Sequence, residues 1–482
     1  MKSRSSLIFY INEKRHEVEG EKAFMNLSDY LRYEQSLTGT KVVCAEGDCG
    51  ACTVLKASVH ELEKGRFKFK TVNSCILPLF SLDASQIVTV EGLKKNSELH
   101  PVQTALVEKF GSQCGYCTPG FVCAMAGLVE DSILDGKKIT EKRTKNYLTG
   151  NLCRCTGYDP IIKAALSIKL GDVETLQDRF HDTKKIKELQ KLLKTPIEIK
   201  TGVQAVFLPT SLKQALSIMK KYPSTRIVAG ATDLGVALNK GRIKYDYIMT
   251  LQNISELRKT FKKKNFLIVK SQVTLAEFQK TLEGHSTEME KMLNLFASPQ
   301  IKNSGTLVGN VVNASPISDT IPFLIVADAL VEVQSASKKR LIPMVDFYLG
   351  YKKLNLKKGE IVTAIHLPLQ SGNEYSKLYK VSLRKDLDIS AVTMAARLKI
   401  KAGKIVEARL AFGGVGPIVS RVKQIENEWL GQVLTSELIY NAASKIAKLV
   451  HPISDVRGTK EYRLQLCKNL LRKMADELEA GL

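Results

Sequence analysis

The chain has 482 residues, 44% hydrophobic and 25% charged, with 31 Gly and 14 Pro, so it is neither disordered nor fibrous and has room for about three domains. Lys plus Arg number 72 against 49 Asp plus Glu, a net charge of +23, which would attract polyanions. The basic clusters at 258–264 and 338–340 fall between apolar, strand-like runs, where solvated turns are the plainer reading, so nucleic acid is set aside as a partner. The longest apolar runs, 119–129 and 321–327, stop well short of the roughly 20 residues that span a bilayer, so no membrane segment is expected. The basic start is followed by only five apolar residues before Asn12 and by no small-residue cleavage site. It reads as folded structure, and the protein as cytoplasmic.

In chain order, SLIFYINE and the residues after Arg15 predict a β-hairpin, and Ser28 caps a predicted helix. A glycine-rich cysteine loop at 44–52 and three strand-like runs complete a small α+β domain over 1–94. From His100 the pattern is helical, with Pro101 and Pro160 at first-turn positions, which predicts a compact helical domain over 95–170. Residues 171–195 are lysine-rich and weakly patterned and read as a linker. Strands and short helices alternate over 196–372, with Thr210 or Ser211 capping a helix, and strands followed by helices fill 373–482.

Nine of the ten cysteines precede residue 156. In a reducing compartment such density points to metal rather than disulfides. Cys44, Cys49 and Cys52 form C-x4-C-x2-C, with Cys75 after 22 further residues, the spacing by which one loop wraps three thiolates around a 2Fe-2S cluster and a later segment supplies the fourth. Gly47 and Gly50 let that loop turn its amides toward sulfur. A four-cysteine zinc site is the rival, although zinc knuckles usually come as paired CxxC. Cys114 and Cys117, with Cys153 and Cys155, form a second possible four-thiolate site, whereas Cys123 and Cys467 read as buried structural thiols.

The strings CAEGDCGACTV, SQCGYCTPGF and NLCRCTGYDPI, in that order, closely resemble the iron–sulfur part of the molybdenum hydroxylases, a family that includes xanthine dehydrogenases, aldehyde oxidases and carbon monoxide dehydrogenases. Val42 and Val43 stand where relatives often carry an acidic residue and a glycine, which predicts an altered first-cluster loop.

Two later segments carry the rest. IVAGATDLGVAL at 227–238 reads as strand, glycine turn and helix; alone it is equally a plain turn, and without G-x-G-x-x-G it disfavours a Rossmann site. FASPQIKNSGTLVGNVVNASPISD at 296–319 adds Gly305 and Gly309 for close backbone approach and several polar side chains. The pair resembles the two-subdomain FAD domain of the same family, shared with vanillyl-alcohol-oxidase-type flavoproteins. By that resemblance Val228, Ala229, Gly230, Ala231, Thr232, Asp233 and Leu234, with Thr306, Gly309 and Asn310, line the pyrophosphate. Asn313 lies nearby, Asp319 could accept from a ribose hydroxyl, Phe296 packs on the isoalloxazine ring and Lys380 contacts the flavin. Without the resemblance, Phe296 and Lys380 read as a core aromatic and a surface lysine. Val308 replaces the first of two glycines usual in relatives.

The resemblance implies an α+β multidomain chain: a β-grasp 2Fe-2S ferredoxin-like domain, a helical-bundle 2Fe-2S domain, a two-subdomain FAD-binding domain and an α+β C-terminal flavoprotein domain. It implies two 2Fe-2S clusters and FAD, with molybdopterin only on a large partner subunit, and no catalytic residue on this chain. Gln113 matches a pterin-adjacent glutamine. The implied activity is that of the small subunit of a xanthine dehydrogenase: electrons released in purine oxidation pass through the clusters to FAD and then to NAD, in a dimer of heterodimers. The alternatives are the small subunit of an aldehyde- or nicotinate-type relative and a free-standing electron-transfer protein.

Overall fold

A computed structural model of the chain describes residues 3–369 and 374–481; the domain boundary expected at 372/373 lies outside the described residues. Two compact units emerge, Met1–Ser255 with Ser298–Gly305, and Glu256–Ala297 with Thr306–Leu482.

The first unit is built on a five-stranded sheet. Strands β1 (Ser6–Ile11) and β2 (Lys14–Glu19) form the expected hairpin, turned at Asn12 with φ 55°. With β3 (Thr53–Ser58), β4 (Lys70–Asn73) and β5 (Ser85–Val88) the sheet order is β2-β1-β5-β3-β4, and β1 and β5 run parallel. Ser28 is not the cap of the early helix: Asn26 is the N-cap of a single turn, Leu27–Asp29, which widens into Tyr30–Glu34.

Alternate residues of each strand face opposite ways, and the sheet uses both faces. Leu7, Phe9, Ile11, Val54 and Ile87 pack with Ile197, Val206, Val228 and Ile248. These come from a second sheet, β6 (Ile197–Lys200), β7 (Ala205–Leu208), β8 (Arg226–Val228) and β9 (Tyr247–Thr250), in the order β6-β7-β9-β8. Ser211 caps α7 of this part (Leu212–Lys221). Leu55 and Val88 point the other way, into the core of the helical domain. That domain comprises α1 (Pro101–Glu108), α2 (Thr118–Leu134), α3 (Glu141–Leu148) and α4 (Asp159–Ser167). The apolar α2 buries twelve residues at its centre.

The expected linker over 171–195 is ordered structure. It forms α5 (Leu176–Arg179) and α6 (Thr183–Leu192), and Leu176, Phe180, Ile186 and Leu189 enter the helical-domain core. The lysines had masked this pattern because most sit on the outer face. Buried Glu130 accepts from the Leu176 and Gln177 amides at 2.7 and 2.9 Å, satisfying donors at the start of α5.

In the second unit, β10 (Thr260–Lys263), β11 (Phe266–Lys270), β12 (Leu330–Gln334), β13 (Lys339–Pro343) and β14 (Ile361–Pro368) form a sheet of order β10-β11-β14-β12-β13. Helices α9 (Leu275–Thr281), α10 (Thr287–Leu295), α12 (Leu307–Val312) and α13 (Thr320–Val326) accompany it. Strands β15 (Glu374–Ser382), β16 (Ser390–Lys401), β17 (Lys404–Gly413) and β18 (Ser420–Arg421) make an antiparallel sheet. Helices α14 (Lys423–Trp429), α15 (Ser436–Lys445) and α16 (Lys460–Glu479) follow it. Leu378, Ala395, Ala411 and Val419 share one core with Val269, Phe278 and Leu324. The two units divide within residues 196–372: the first sheet of that range shares a core with the ferredoxin-like domain, and its second with the C-terminal sheet.

Two buried histidines set an acid limit on the first unit. His16, stacked on Phe9 with Nδ1 3.1 Å from the Tyr30 hydroxyl, is pushed down from 6.5 to about 4 by burial and then by Lys14. His100, which caps α1, is likewise pushed to about 4 by burial and then by Arg179. Both stay neutral when folded and protonate when unfolded, so the unfolded chain binds more protons below pH 6.5. Stability is expected to hold above that pH and to fall between 6.5 and 4, at a limiting slope of about 1.4 kcal/mol per pH unit for each histidine. Urea unfolding from pH 7 to 4.5 checks this, and a His100→Asn variant, which keeps a capping side chain, should show a shallower slope.

Candidate cofactor sites

The loop between the Tyr30–Glu34 turn and β3 carries Cys44, Cys49 and Cys52, and β4 ends one residue before a short turn holding Cys75. The four thiols come together. Hydrogen bonds from the Cys49 and then the Cys75 thiol pull Cys44 well below the usual thiol range. Cys75 also pulls Cys52 down, against the cost of burial. Cys49 and Cys75, the thiols that give these bonds, are held above it. The Glu46 and Cys49 amides point at Cys44 Sγ, at 3.4 and 3.5 Å.

The second quartet has the same logic on helix ends. Cys114 and Cys117 precede α2, with Cys117 at its N-cap, and Cys153 and Cys155 lie between α3 and α4. Cys114 is drawn down by the Tyr116 amide and then by Cys155, which is raised in turn. Burial and then the bond to Cys153 push Cys117 up to about 12. Cys153 is raised by burial but ends below the usual range, because the Thr156 hydroxyl, the Thr156 and Cys155 amides and the Cys117 thiol all hydrogen-bond to it. The Thr156 amide lies 3.4 Å from its sulfur.

Among the described residues no three His, Cys, Asp or Glu side chains are placed to hold a single metal ion. In the first quartet the thiols form one chain of contacts, Cys49 to Cys44, Cys44 to Cys75 and Cys75 to Cys52, and in the second Cys114 meets Cys155 and Cys117 meets Cys153. Four sulfur donors brought together in each quartet, with amides aimed at sulfur, fit an iron–sulfur cluster, which these cysteines would hold. Cys123 and Cys467 are fully buried among apolar side chains, as expected, and Gln113 is exposed beside Cys114.

The two quartets are joined directly. The Leu152 amide donates to the Cys49 carbonyl at 2.9 Å, and Asn151 Nδ2 donates to the Gly50 carbonyl at 3.0 Å. A side chain on Gly120 would meet that Gly50 carbonyl at 2.3 Å, and one on Gly50 would meet the Gly150 carbonyl at 2.2 Å. Only glycine lets the loops approach so closely. The sequence reading missed Asn151, Gln300, which donates to Asn151 Oδ1 at 2.8 Å and Thr53 Oγ1 at 3.2 Å, and Asn73, which donates to the Gly47 carbonyl at 2.6 Å. Their one visible signal was an amide side chain within or near a cofactor motif. Val42, one of the departures, packs beside Cys52 and Cys75, while Val43 is exposed.

The residues expected at the flavin fall in both units. In the first, β8 runs into the 228–234 loop, where Ala231 has φ 59°, and then into α8 (Leu234–Asn239). A Cβ on Gly230 would lie 1.9 Å from the Ser304 carbonyl oxygen and 2.7 Å from Gly305 Cα, so the loop is pressed on the backbone leaving α11 (Pro299–Ser304). In the second unit, Thr306 Oγ1 accepts from the Gly309 amide at 2.9 Å. Asn310 Oδ1 accepts from the Ser318 and Thr320 hydroxyls, both at 2.6 Å, and Asn313 Oδ1 accepts from Lys352 Nζ at 2.9 Å. Val308 is buried in the core, and Phe296, at the end of α10, is half-buried against it. Asp319, the residue expected to accept from a ribose hydroxyl, is buried and already has two partners. Its Oδ2 takes Lys380 Nζ at 2.7 Å and its Oδ1 takes the Ser390 hydroxyl at 2.5 Å. Lys380 is no surface lysine, since its side chain is 2% exposed. Within the first unit, the close backbone packing at Gly230 beside the positive-φ Ala231 suits a phosphate-bearing ligand.

Four family models match successive parts of the chain: a 2Fe-2S iron–sulfur cluster binding domain at 9–79, a [2Fe-2S] binding domain at 89–166, the FAD binding domain in molybdopterin dehydrogenase at 198–370, and the CO dehydrogenase flavoprotein C-terminal domain at 377–478. The chain is thus an iron–sulfur flavoprotein of the oxidoreductase class, with sites for two 2Fe-2S clusters and FAD. Xanthine dehydrogenase 1 of Arabidopsis thaliana is 30% identical over 94% of this chain and 38% of its own length. Xanthine dehydrogenase of Dictyostelium discoideum is 29% identical over 97% of this chain and 40% of its own. The chain belongs to the molybdenum hydroxylase family and spans about two-fifths of the length of these relatives. Among solved structures, quinoline 2-oxidoreductase from Pseudomonas putida 86 shares the fold over 57% of this chain and 96% of that one, with TM-score 0.53 and 24% identity. Carbon monoxide dehydrogenase from Hydrogenophaga pseudoflava does so over 56% and 94%, with TM-score 0.53 and 19% identity. Among the described residues no helix is long and apolar enough to cross a membrane.

Proposed function

We propose that this chain is the electron-transfer subunit of a xanthine dehydrogenase, working beside a separate molybdenum-binding subunit and delivering electrons through FAD to NAD. The observation that carries the reading is the pair of thiol quartets, joined by the Leu152-to-Cys49 hydrogen bond, in one unit with the first flavin loop. In this reading Cys44, Cys49, Cys52 and Cys75 hold the first cluster, and Cys114, Cys117, Cys153 and Cys155 the second. When bound, the clusters supply one-electron transfer and FAD pairs electrons for hydride chemistry. The chain's own part is to bring the sulfurs together, to fix the distance between clusters by glycine packing, and to bury the Asp319–Lys380 pair among the flavin-site residues.

Cys114 and Cys155 are exposed. The apolar side chains Val107, Phe110 and Tyr116, close to Cys114 in sequence, are 69%, 82% and 48% exposed, a composition suited to a protein partner. Substrate identity follows from the xanthine dehydrogenase relatives alone. The full chain, expressed with iron and sulfide, is expected to carry about four irons and one FAD, with two distinct EPR signals on reduction. NADH should bleach the flavin, and a molybdenum-containing polypeptide should co-purify from the native source. Zinc in place of iron would overturn the cluster assignment; iron and FAD without bleaching by NADH would overturn the nicotinamide outlet.

A further inference from the structure

The first thiol quartet is unevenly covered. Cys44 and Cys49 are half-buried, whereas Cys52 and Cys75 are only 1% and 2% exposed. The apolar side chains over that dry pair are Val42 and Ile76 from the ferredoxin-like domain, and Val236 and Ile301 from beyond residue 196. Among the described residues, the polar side chain that meets its sulfurs is that of Asn73, with Oδ1 4.0 Å from Cys52 Sγ. Val236 lies on α8, which leaves the 228–234 loop and ends at Asn239, whose Nδ2 donates to the Ala45 and Cys75 carbonyls at 2.8 Å each. Asn239 Oδ1 accepts from Asn26 at 2.6 Å. Gly235 brings α8 flush with the cluster segment, since a Cβ there would stand 2.6 Å from the Ile76 carbonyl oxygen. Ile301 lies on α11, held by the Gln300 bonds and by Asn303 Nδ2 donating to the Thr71 carbonyl at 3.0 Å. Its Cδ1 stands 3.2 Å from where a Gly47 Cβ would be.

Reduction of a cluster adds negative charge, and an environment that solvates charge poorly disfavours that step. Solvent exposure and hydrogen bonds to sulfur are the levers on such a potential. We infer that Val236 and Ile301 form an apolar cap that holds down the reduction potential of the first cluster, so that this potential belongs to the fused chain and not to the ferredoxin-like domain alone. The inference rests on the proposal that Cys44, Cys49, Cys52 and Cys75 hold that cluster. Both are positioning residues: they touch the ligand-bearing segment and exclude water from it.

The test uses near-isosteric pairs in the full-length protein. Val236→Thr, and Ile301→Thr against Ile301→Val, change polarity at constant shape. Redox titration followed by EPR is expected to show the first-cluster midpoint shifted upward in both Thr variants and further in the double variant. Ile301→Val should stay near wild type, as should the second-cluster signal and the flavin content. An unchanged first-cluster midpoint in the double Thr variant at full iron content would overturn the inference, as would an equal shift in Ile301→Val. If a Thr variant loses iron, the wild-type protein still decides: its first-cluster signal should show weaker deuterium coupling in heavy water than the second, and equal coupling would overturn the cap. Absence of any iron–sulfur signal in the wild type would instead overturn the cluster assignment itself.

Discussion

Replacing Asp319 by alanine is expected to destabilise the second unit by about 3–5 kcal/mol, the usual result of stripping one partner from a buried ion pair. The carboxylate and the Lys380 ammonium are 6% and 2% exposed and 2.7 Å apart. Burial pushes the Asp319 carboxyl above its usual range, with Lys380 and Ser390 pulling it back, so the lysine is its main compensation. Without the carboxylate, Lys380 Nζ retains only the Asp388 carbonyl at 2.8 Å and the Ser390 hydroxyl at 2.6 Å, neither of which carries a balancing charge. The double variant Asp319→Leu, Lys380→Met should recover much of the loss, because a well-packed apolar pair of similar volume is often no less stable. Denaturant unfolding of the wild type, Asp319→Leu, Lys380→Met and their double variant as a double-mutant cycle measures the coupling directly. Both residues belong to the expected flavin set, so flavin content should fall in the double variant even where stability returns; flavin retained at wild-type level would place the pair outside the flavin site.

The cysteine quartets were legible because their ligands are local. Cys44, Cys49 and Cys52 occupy one loop, and the family strings mark the rest. What holds those loops was not legible. Asn239 reaches carbonyls 194 and 164 residues away, and Gln300 reaches an amide 149 residues away, and one sequence carries no signal for such pairings. The ordered clasp at 176–192 was hidden differently: Leu176, Phe180, Ile186 and Leu189 keep a helical spacing, but the surrounding lysines dilute it. The flavin loops were found as strings, yet Asp319 shows the limit of reading a string. Its polarity marked it as a candidate, while the partner it meets, Lys380, lies 61 residues on. The division of the expected flavin domain between two cores is likewise a tertiary fact, since each of its sheets is amphipathic in sequence and says nothing of which neighbour covers it.

Alanine at Gly230 is the sharpest single test of the flavin loops. Its Cβ would be placed 1.9 Å from the Ser304 carbonyl oxygen, 2.4 Å from the Ser304 carbonyl carbon and 2.7 Å from Gly305 Cα. All three are backbone atoms, so no side-chain rotation relieves the clash and the 228–234 loop must move. Overpacking of this kind typically costs about 1–3 kcal/mol, and if the strain falls on the flavin-binding conformation it weakens FAD retention roughly 5- to 150-fold. No thiol ligand comes from the 228–234 loop, and the second quartet lies on other elements, so iron content and the second-cluster signal should persist, giving a protein with its iron and without its flavin. The first-cluster midpoint is expected to shift, because α8 and α11 carry its apolar cap. Gly202→Ala is the control, because nothing lies within 4 Å of a Cβ there and its φ is not in the left-handed region. Iron and flavin assays on the same preparations separate the outcomes. Joint loss of both would mean that the loop supports the whole unit, and full retention of flavin would mean that the 228–234 segment does not bind it.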